Sequence, residues 1–385
     1  MRKVVIAGVG WHKFGRYADK SFEKMGQEAT LMALKDANNM DWKDVQACYF
    51  ATMHGGTAAG HRTLARLGLT GIPIINIETA CASGGTAVKL AYEGIAAGFY
   101  DVVLALGVEK MPRGFMAMTS YPRWQMLSGL AINPIVFGFN GFKCMTEKGV
   151  TFEQFAKVSV KNHKYGALNP YAMYQKELTM EEIMNSPMVC YPIHLLEICA
   201  PNEGAAAAIL CAEEIAKKYT DKPIFVAAPC IGVAAYGDAA YLAAAGGSGA
   251  GSVKVKTPPI TTTLAKQAYE MAGIGPEDLD VVELQDTTAH DEVMLYEQLG
   301  LCKAGEEGRC IDEGKFEVGG DVAVNTSGGL LSKGEPVGAS GLSMVAQITW
   351  QLRGQAGPLQ VADAKVGLCH VLGAGGNSAV TILKR

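Results

Sequence analysis

The ten cysteines never pair as Cys-x-x-Cys, which removes a zinc ribbon and a dithiol redox motif together. No apolar run reaches the ~18 residues needed to cross a bilayer. Charged residues are scarce at 19%, and the formal net charge is only −4, so nothing in the bulk electrostatics invites nucleic acid. A Gly-rich phosphate-cradling motif is also missing. The opening Met1-Arg-Lys-Val-Val-Ile-Ala-Gly-Val-Gly10 reads as a short strand and turn, with too little apolar length for a signal-peptide core. The expectation is a cytoplasmic protein with reduced thiols, no metal site and no membrane partner.

What is present suits a compact enzyme. Of 385 residues, 49% are hydrophobic and 46 are glycine, enough for a large core with many tight turns. The chain also echoes itself. A helical stretch from Ser21 to Asn38 precedes a turn and strand over 41–50; much later, Thr262 to Ala272 precedes a turn and strand over 273–284. Cys81-Ala-Ser-Gly-Gly85 is echoed by Gly338-Ala-Ser-Gly341, and each leads through an apolar helical stretch to a β-rich run, 102–107 and 366–369. Two echoes in the same order indicate a duplicated α/β unit, with sheets covered by helices. Residues 111–198, rich in Met, Tyr, Pro and Asn, break the pattern and read as an inserted loop domain. The halves are then 1–110 with 199–221, and 222–385.

Cys81 stands where the extended run from Ile72 ends and a helix of small residues begins. A helix N-terminus favours thiolate over thiol and supplies N–H groups for an oxyanion. The commoner fate of a free cysteine is a buried structural thiol, so the context must decide. Three later segments carry polar groups at strand ends, where open α/β folds place their chemistry. They are 281–292 with Gln285, Asp286 and His290; 325–341 with Asn325 and Glu335; and 369–377 with His370, Leu372 and Gly373. Singly, His370 reads equally as a core histidine, Glu335 before Pro336 as a solvated acid, and His290 with Asp291 as a helix cap. The Gly/Ala-rich stretch 243–251 reads as a flexible loop, or as a backbone wall against an extended ligand through Gly246, Gly247 and Ser248.

Together these segments resemble the thiolase superfamily, most closely its sterol-carrier-protein-type branch, over the whole chain. Cys81-Ala-Ser-Gly-Gly, Asn169-Pro-Tyr, Asn185-Ser-Pro-Met-Val and the stretch from Gln285 onward carry the resemblance. It implies an α/β thiolase fold with two duplicated halves in five layers, an inserted loop domain and a homodimer. It also implies a Cys81 acyl-enzyme, coenzyme A as co-substrate rather than a tightly bound cofactor, and an additional small zinc-ribbon/OB-fold subunit as a partner. Three positions depart from the pattern. Gly334-Glu335-Pro336 stands for Gly-His-Pro, Gln285-Asp286-Thr287-Thr288 for His-Asp-Cys-Phe, and His370-Val-Leu-Gly for His-Asn-Leu-Gly.

The expected activity is thiolysis of a 3-oxoacyl-CoA whose acyl group is bulky, branched or aromatic, the benzoylsuccinyl-CoA kind being one case. In this reading Cys81 attacks, His370 is the base and shares one proton with Glu335, and Gln285 donates an amide N–H to a thioester oxygen. The backbone N–H of Cys81, with one near Leu372 and Gly373, forms the oxyanion hole; Asp286, His290 and Asn325 support. Rival readings are a retro-aldolase of the same fold and a non-catalytic acyl-CoA carrier or scaffold.

Overall fold

The computed structural model describes residues 1–114, 123–130, 132–235 and 257–385. Ten strands form the frame. In the N-terminal half they are β1 (Val4–Gly15), β2 (Ala47–Ala51), β3 (Ile74–Ile77), β4 (Val102–Lys110) and β5 (Glu203–Ala212). In the C-terminal half they are β6 (Ile224–Val233), β7 (Val281–Glu283), β8 (Ala323–Val324), β9 (Val366–Gly373) and β10 (Asn377–Lys384). The first half runs β3-β2-β4-β5-β1 and the second β8-β7-β9-β10-β6. Both share one pattern: the edge three strands are parallel and the remaining two antiparallel. The sheets meet edge to edge where Val5 and Ile6 of β1 pair with Phe225 and Ile224 of β6. The duplication read from the echoes is therefore physical.

Helices complete the layers. α1 (Phe22–Asp36) starts at Ser21, whose side chain accepts from the N–H of Lys24, and carries Glu23 and Lys35 at the ends its dipole favours. It covers the outer face of the first sheet, and α5 (Ile260–Ala272) with α6 (Ala289–Gln298) covers the outer face of the second. Between the sheets lie α2 (Ser83–Ala96) and α8 (Val337–Arg353). This gives five layers, with a central cluster fed by inward residues of both sheets. Buried on both faces, β4 and β5 read as continuous apolar runs, as the sequence of each shows.

The echoed Ala-Ser-Gly segments are small because α2 and α8 cross there. A Cβ on Gly84 would stand 3.0 Å from the Leu342 nitrogen, and one on Gly107 would fall 2.2 Å from the Gly338 carbonyl oxygen. Glu109 of β4 ties the halves together from a fully buried position. It accepts from the N–H groups of Met53 and His54 in one half and Gly338 in the other.

The segment between β4 and β5 includes α3 (Asn133–Lys148) and α4 (Phe152–Leu168), the latter opened by a Thr151/Gln154 capping box. It lies over the C-terminal half, where α4 packs on α6 and on the short helix α7 (Gly329–Lys333). Through this excursion the chain brings residues 195–202 under the strand ends of both halves.

Candidate active site

Cys81 sits at the last turn before α2, on a loop held in place by its own side chains. The N–H of Thr79 donates to Ser83 Oγ at 2.8 Å, and that hydroxyl donates to the Ala80 carbonyl at 2.6 Å. Ala80 adopts φ +50°, a left-handed turn, with its N–H on Glu78 Oε1 at 2.7 Å. The thiol is thereby presented half-buried, opposite the turn that follows β9.

Three segments converge on it. The backbone N–H of Glu335 donates to the Ala200 carbonyl at 3.0 Å, and the N–H of Cys199 to the Thr287 carbonyl at 2.8 Å. Gly334 before it needs φ +91°, and a Cβ there would lie 1.7 Å from Asn202 Nδ2. Glu335 is only 6% exposed, so it is not a solvated acid. One carboxylate oxygen accepts from the Cys199 thiol at 3.0 Å, the other from Gln285 Nε2. The same carboxylate acts on the Cys81 thiol, raising its pKa through its charge and through a hydrogen bond. Two cysteines thus share one acid.

Burial raises the Glu335 pKa, while the donated bonds from Cys199, Cys81 and Gln285 pull it back. Both thiols are held well above their ordinary range, first by burial and then by the Glu335 charge. The N–H groups of Ala374 and of Cys81 itself oppose this by donating to the Cys81 sulfur. The helix N-terminus therefore does not leave a resting thiolate; desolvation and the carboxylate outweigh it. A base must remove the proton, and the acid in contact is Glu335.

Several expected placements change. His370 lies on β9, where successive side chains alternate: Cys369 and Val371 face the central cluster, Leu368 and Leu372 the outer one. The His370 ring shares the outer face, with Nε2 3.0 Å from Thr261 Oγ1 of α5, and burial lowers its pKa to about 3. It makes no proton-sharing contact with Glu335, because the pleat turns it to the opposite side of the sheet. Gln285 spends its amide donors on Glu335 and Thr287 Oγ1, so it anchors the acid rather than facing a thioester. Leu372 packs outward, and the N–H at the sulfur belongs to Ala374. Gly373 does abut the Cys81 turn.

Asp286 and Asn325 are scaffold. Asp286 accepts from the N–H groups of Leu330 and Leu331 and from Asn162 Nδ2, while Asn325 Nδ2 donates to Glu292. His290 is fully buried with Nδ1 2.7 Å from Thr288 Oγ1, and Asp291 completes a capping box with Thr288. Gly246, Gly247 and Ser248 lie outside the described residues. Among the described residues no His, Cys, Asp and Glu cluster is arranged to hold a metal ion, and no helix is long and apolar enough to cross a membrane.

Cys199 was not singled out by its sequence, being one of ten scattered cysteines. Its one signal is position, just before β5 re-enters the first sheet. With Glu335 it borders a cavity of about 360 Å³ walled by Met111, Phe137, Met173, Leu195, Leu331 and Val337.

Gly373→Ala is expected to distort the turn that carries Cys81. The new Cβ would stand 2.8 Å from the Cys81 nitrogen, 2.9 Å from the Thr79 oxygen and 3.0 Å from the Ala82 nitrogen, all backbone. Such overpacking costs roughly 1–3 kcal/mol, and a shifted nucleophile loses about a hundredfold in rate. Alkylation kinetics of Cys81 beside a melting curve will check this; an unchanged rate would show that the turn tolerates the methyl.

Residues 4–214 match the family profile described as "Thiolase, N-terminal domain", and residues 255–385 the one described as "Thiolase C-terminal domain-like". An acetyl-CoA acetyltransferase of Methanothermobacter thermautotrophicus is 37% identical over 398 residues, covering all of both chains. The benzoylsuccinyl-CoA thiolase subunit BbsB of Thauera aromatica is 37% identical over 382 residues, 97% of this chain and 95% of that one. Human sterol carrier protein 2 is 36% identical over 416 residues, spanning this whole chain and 72% of the relative. Among solved structures, the Ltp2–ChsH2(DUF35) aldolase superposes with TM-score 0.87 at 24% identity, over 99% of this chain and 97% of that one. An acetyl-CoA acetyltransferase from Syntrophomonas wolfei gives TM-score 0.73 at 16% identity, over the full length of both.

Proposed function

The chain belongs to the thiolase family and is a thiolase-type acyltransferase with the thiolase fold, and from that premise we propose that it cleaves a 3-oxoacyl-CoA with coenzyme A through a Cys81 acyl-enzyme. One observation carries the reading: a single buried carboxylate is shared by the thiols of Cys81 and Cys199 at the wall of an apolar cavity. Glu335 takes the Cys81 proton as the sulfur attacks the C3 carbonyl. The resulting oxyanion is met by the N–H groups of Cys81 and Ala374. Its collapse breaks the C2–C3 bond and leaves the shorter CoA ester as an enolate, which the Cys199 thiol protonates. The Cys199 thiolate then takes the proton of incoming CoA, whose sulfur attacks the thioester; Cys81 departs and recovers its proton from Glu335. Coenzyme A acts as co-substrate throughout.

The cavity walls suit a bulky, branched or aromatic acyl group, and the 37% identity to BbsB supports an aromatic one of the benzoylsuccinyl-CoA kind. The edge of β3, where Ile75 is 48% exposed, supports homodimer formation by strand addition. A small zinc-ribbon/OB-fold subunit remains part of the proposal, as does a cytoplasmic location.

Intact-protein and peptide mass spectrometry after exposure to a panel of 3-oxoacyl-CoA esters tests the reading. The expected result is an acyl mass on the Cys81 peptide that added CoA removes. No adduct from these esters, with cleavage instead of a 3-hydroxyacyl-CoA into a shorter acyl-CoA and an aldehyde or ketone, would move the assignment to a retro-aldolase. Bound ester with neither cleavage nor adduct would make the chain a carrier.

A further inference from the structure

His163 lies on α4 and lines the same cavity as Glu335 and Cys199, yet it is only 2% exposed. Its Nδ1 is shielded and has no hydrogen-bond partner among the described residues. Among the described residues its aromatic contact is with the Tyr174 ring, 6.0 Å between centroids and tilted by 40°. A buried imidazole left unpaired costs free energy comparable to a lost hydrogen bond, so such a group in a cavity wall marks something it is there to meet.

The rest of the wall narrows the ligand. Burial lowers the His163 pKa to about 4, so the ring is neutral at pH 7 and can donate one hydrogen bond and accept another. Arg16 also borders the cavity, but its guanidinium is committed to the carbonyls of Met111, at 2.7 Å, and Pro201, and it stands 3.7 Å from Glu203. A carboxylate on the acyl tail would therefore face a neutral ring and a cation already engaged. A neutral hydroxyl or carbonyl oxygen matches what His163 offers.

Resting on the acyl-transfer reading above, we propose that His163 is a specificity residue that hydrogen-bonds an uncharged oxygen substituent, a hydroxyl or oxo group, on an otherwise apolar acyl tail. A site built around such a bond rejects the ester lacking the oxygen, because binding that ester leaves the imidazole unpaired.

The test uses two 3-oxoacyl-CoA esters of equal length, one ending in phenyl and the other in hydroxyphenyl. The wild-type protein should favour the hydroxylated ester in kcat/KM by about tenfold or more. His163→Phe should lose that preference, with kcat/KM falling by about tenfold for the hydroxylated ester and changing less than about threefold for the phenyl ester. His163→Gln, which keeps a donor, should restore part of it. The Cys81 adduct is read by mass spectrometry on both esters in parallel. Adducts with no oxygen preference in the wild type, or equal slowing of both esters in His163→Phe, would overturn the role of His163 and leave the acyl-transfer reading standing. No Cys81 adduct from either ester would overturn that reading and this inference with it.

Discussion

Cys81→Ala is expected to abolish the acyl-enzyme and to lower thiolysis by about ten-thousandfold or more, since loss of a covalent nucleophile removes the path itself. The remaining polar groups offer no substitute. Cys199 supplies a second thiol at the site, but it is buried and bonded to Glu335. The fold should barely notice the change, because Cys81 is half-buried and alanine replaces only its sulfur. A melting temperature within about 3 °C of wild type corresponds to less than about 1 kcal/mol and would confirm it. Mass spectrometry of the variant with a 3-oxoacyl-CoA should then show no adduct on any peptide. An adduct appearing on Cys199 would reverse the roles given to the two thiols.

Glu335→Gln is expected to separate the thiol's acidity from its usefulness. The Glu335 charge and burial both hold the Cys81 thiol up, burial being the larger cause. Removing the charge lowers the Cys81 pKa, so alkylation by a small neutral reagent should reach its midpoint at lower pH than in wild type. Catalysis should move the other way. Without an acceptor for the proton, kcat/KM should fall by about 100- to 10,000-fold, the usual worth of a positioned general base. In wild type the acid limb of the activity profile should lie above the ordinary carboxylate range, because burial raises Glu335 despite its three donors. Below that limb the carboxyl is protonated and cannot accept; above it the base is available. Glu335→Gln should lose this limb. If turnover and profile were unchanged, the proton would have to leave by another route, and His370 would be a poor choice given its contact with Thr261.

Much of the architecture was legible because periodicity and repetition are local properties. The helix beginning near Ser21 and the later one ending at Ala272 fell within two residues of their bounds, since caps and apolar spacing are written in neighbouring residues. The paired Ala-Ser-Gly segments announced two small-residue helix starts, and the structure supplies the reason, a close crossing of α2 and α8. Cys81 and Glu335 could be named because each stands at a turn with an unusual polar residue among small ones.

The partners of those residues could not be read so directly. His370 and Glu335 are equally conspicuous in the sequence, yet the parity of one strand sends the imidazole to the outer helices while Glu335 meets the thiols. His163 carries no local mark, and Cys199 only its position just before β5. They matter because the long segment between β4 and β5 folds over the second half and returns beside strand ends remote in sequence. The sequence by itself determined the duplicated α/β plan and pointed to Cys81 and Glu335, the residues to which the proposal gives the roles of nucleophile and acid. Only the tertiary structure decided which groups bond the Glu335 carboxylate and which buried ring lines the cavity beside it, because side-chain parity and long-range burial exist only once the layers have packed.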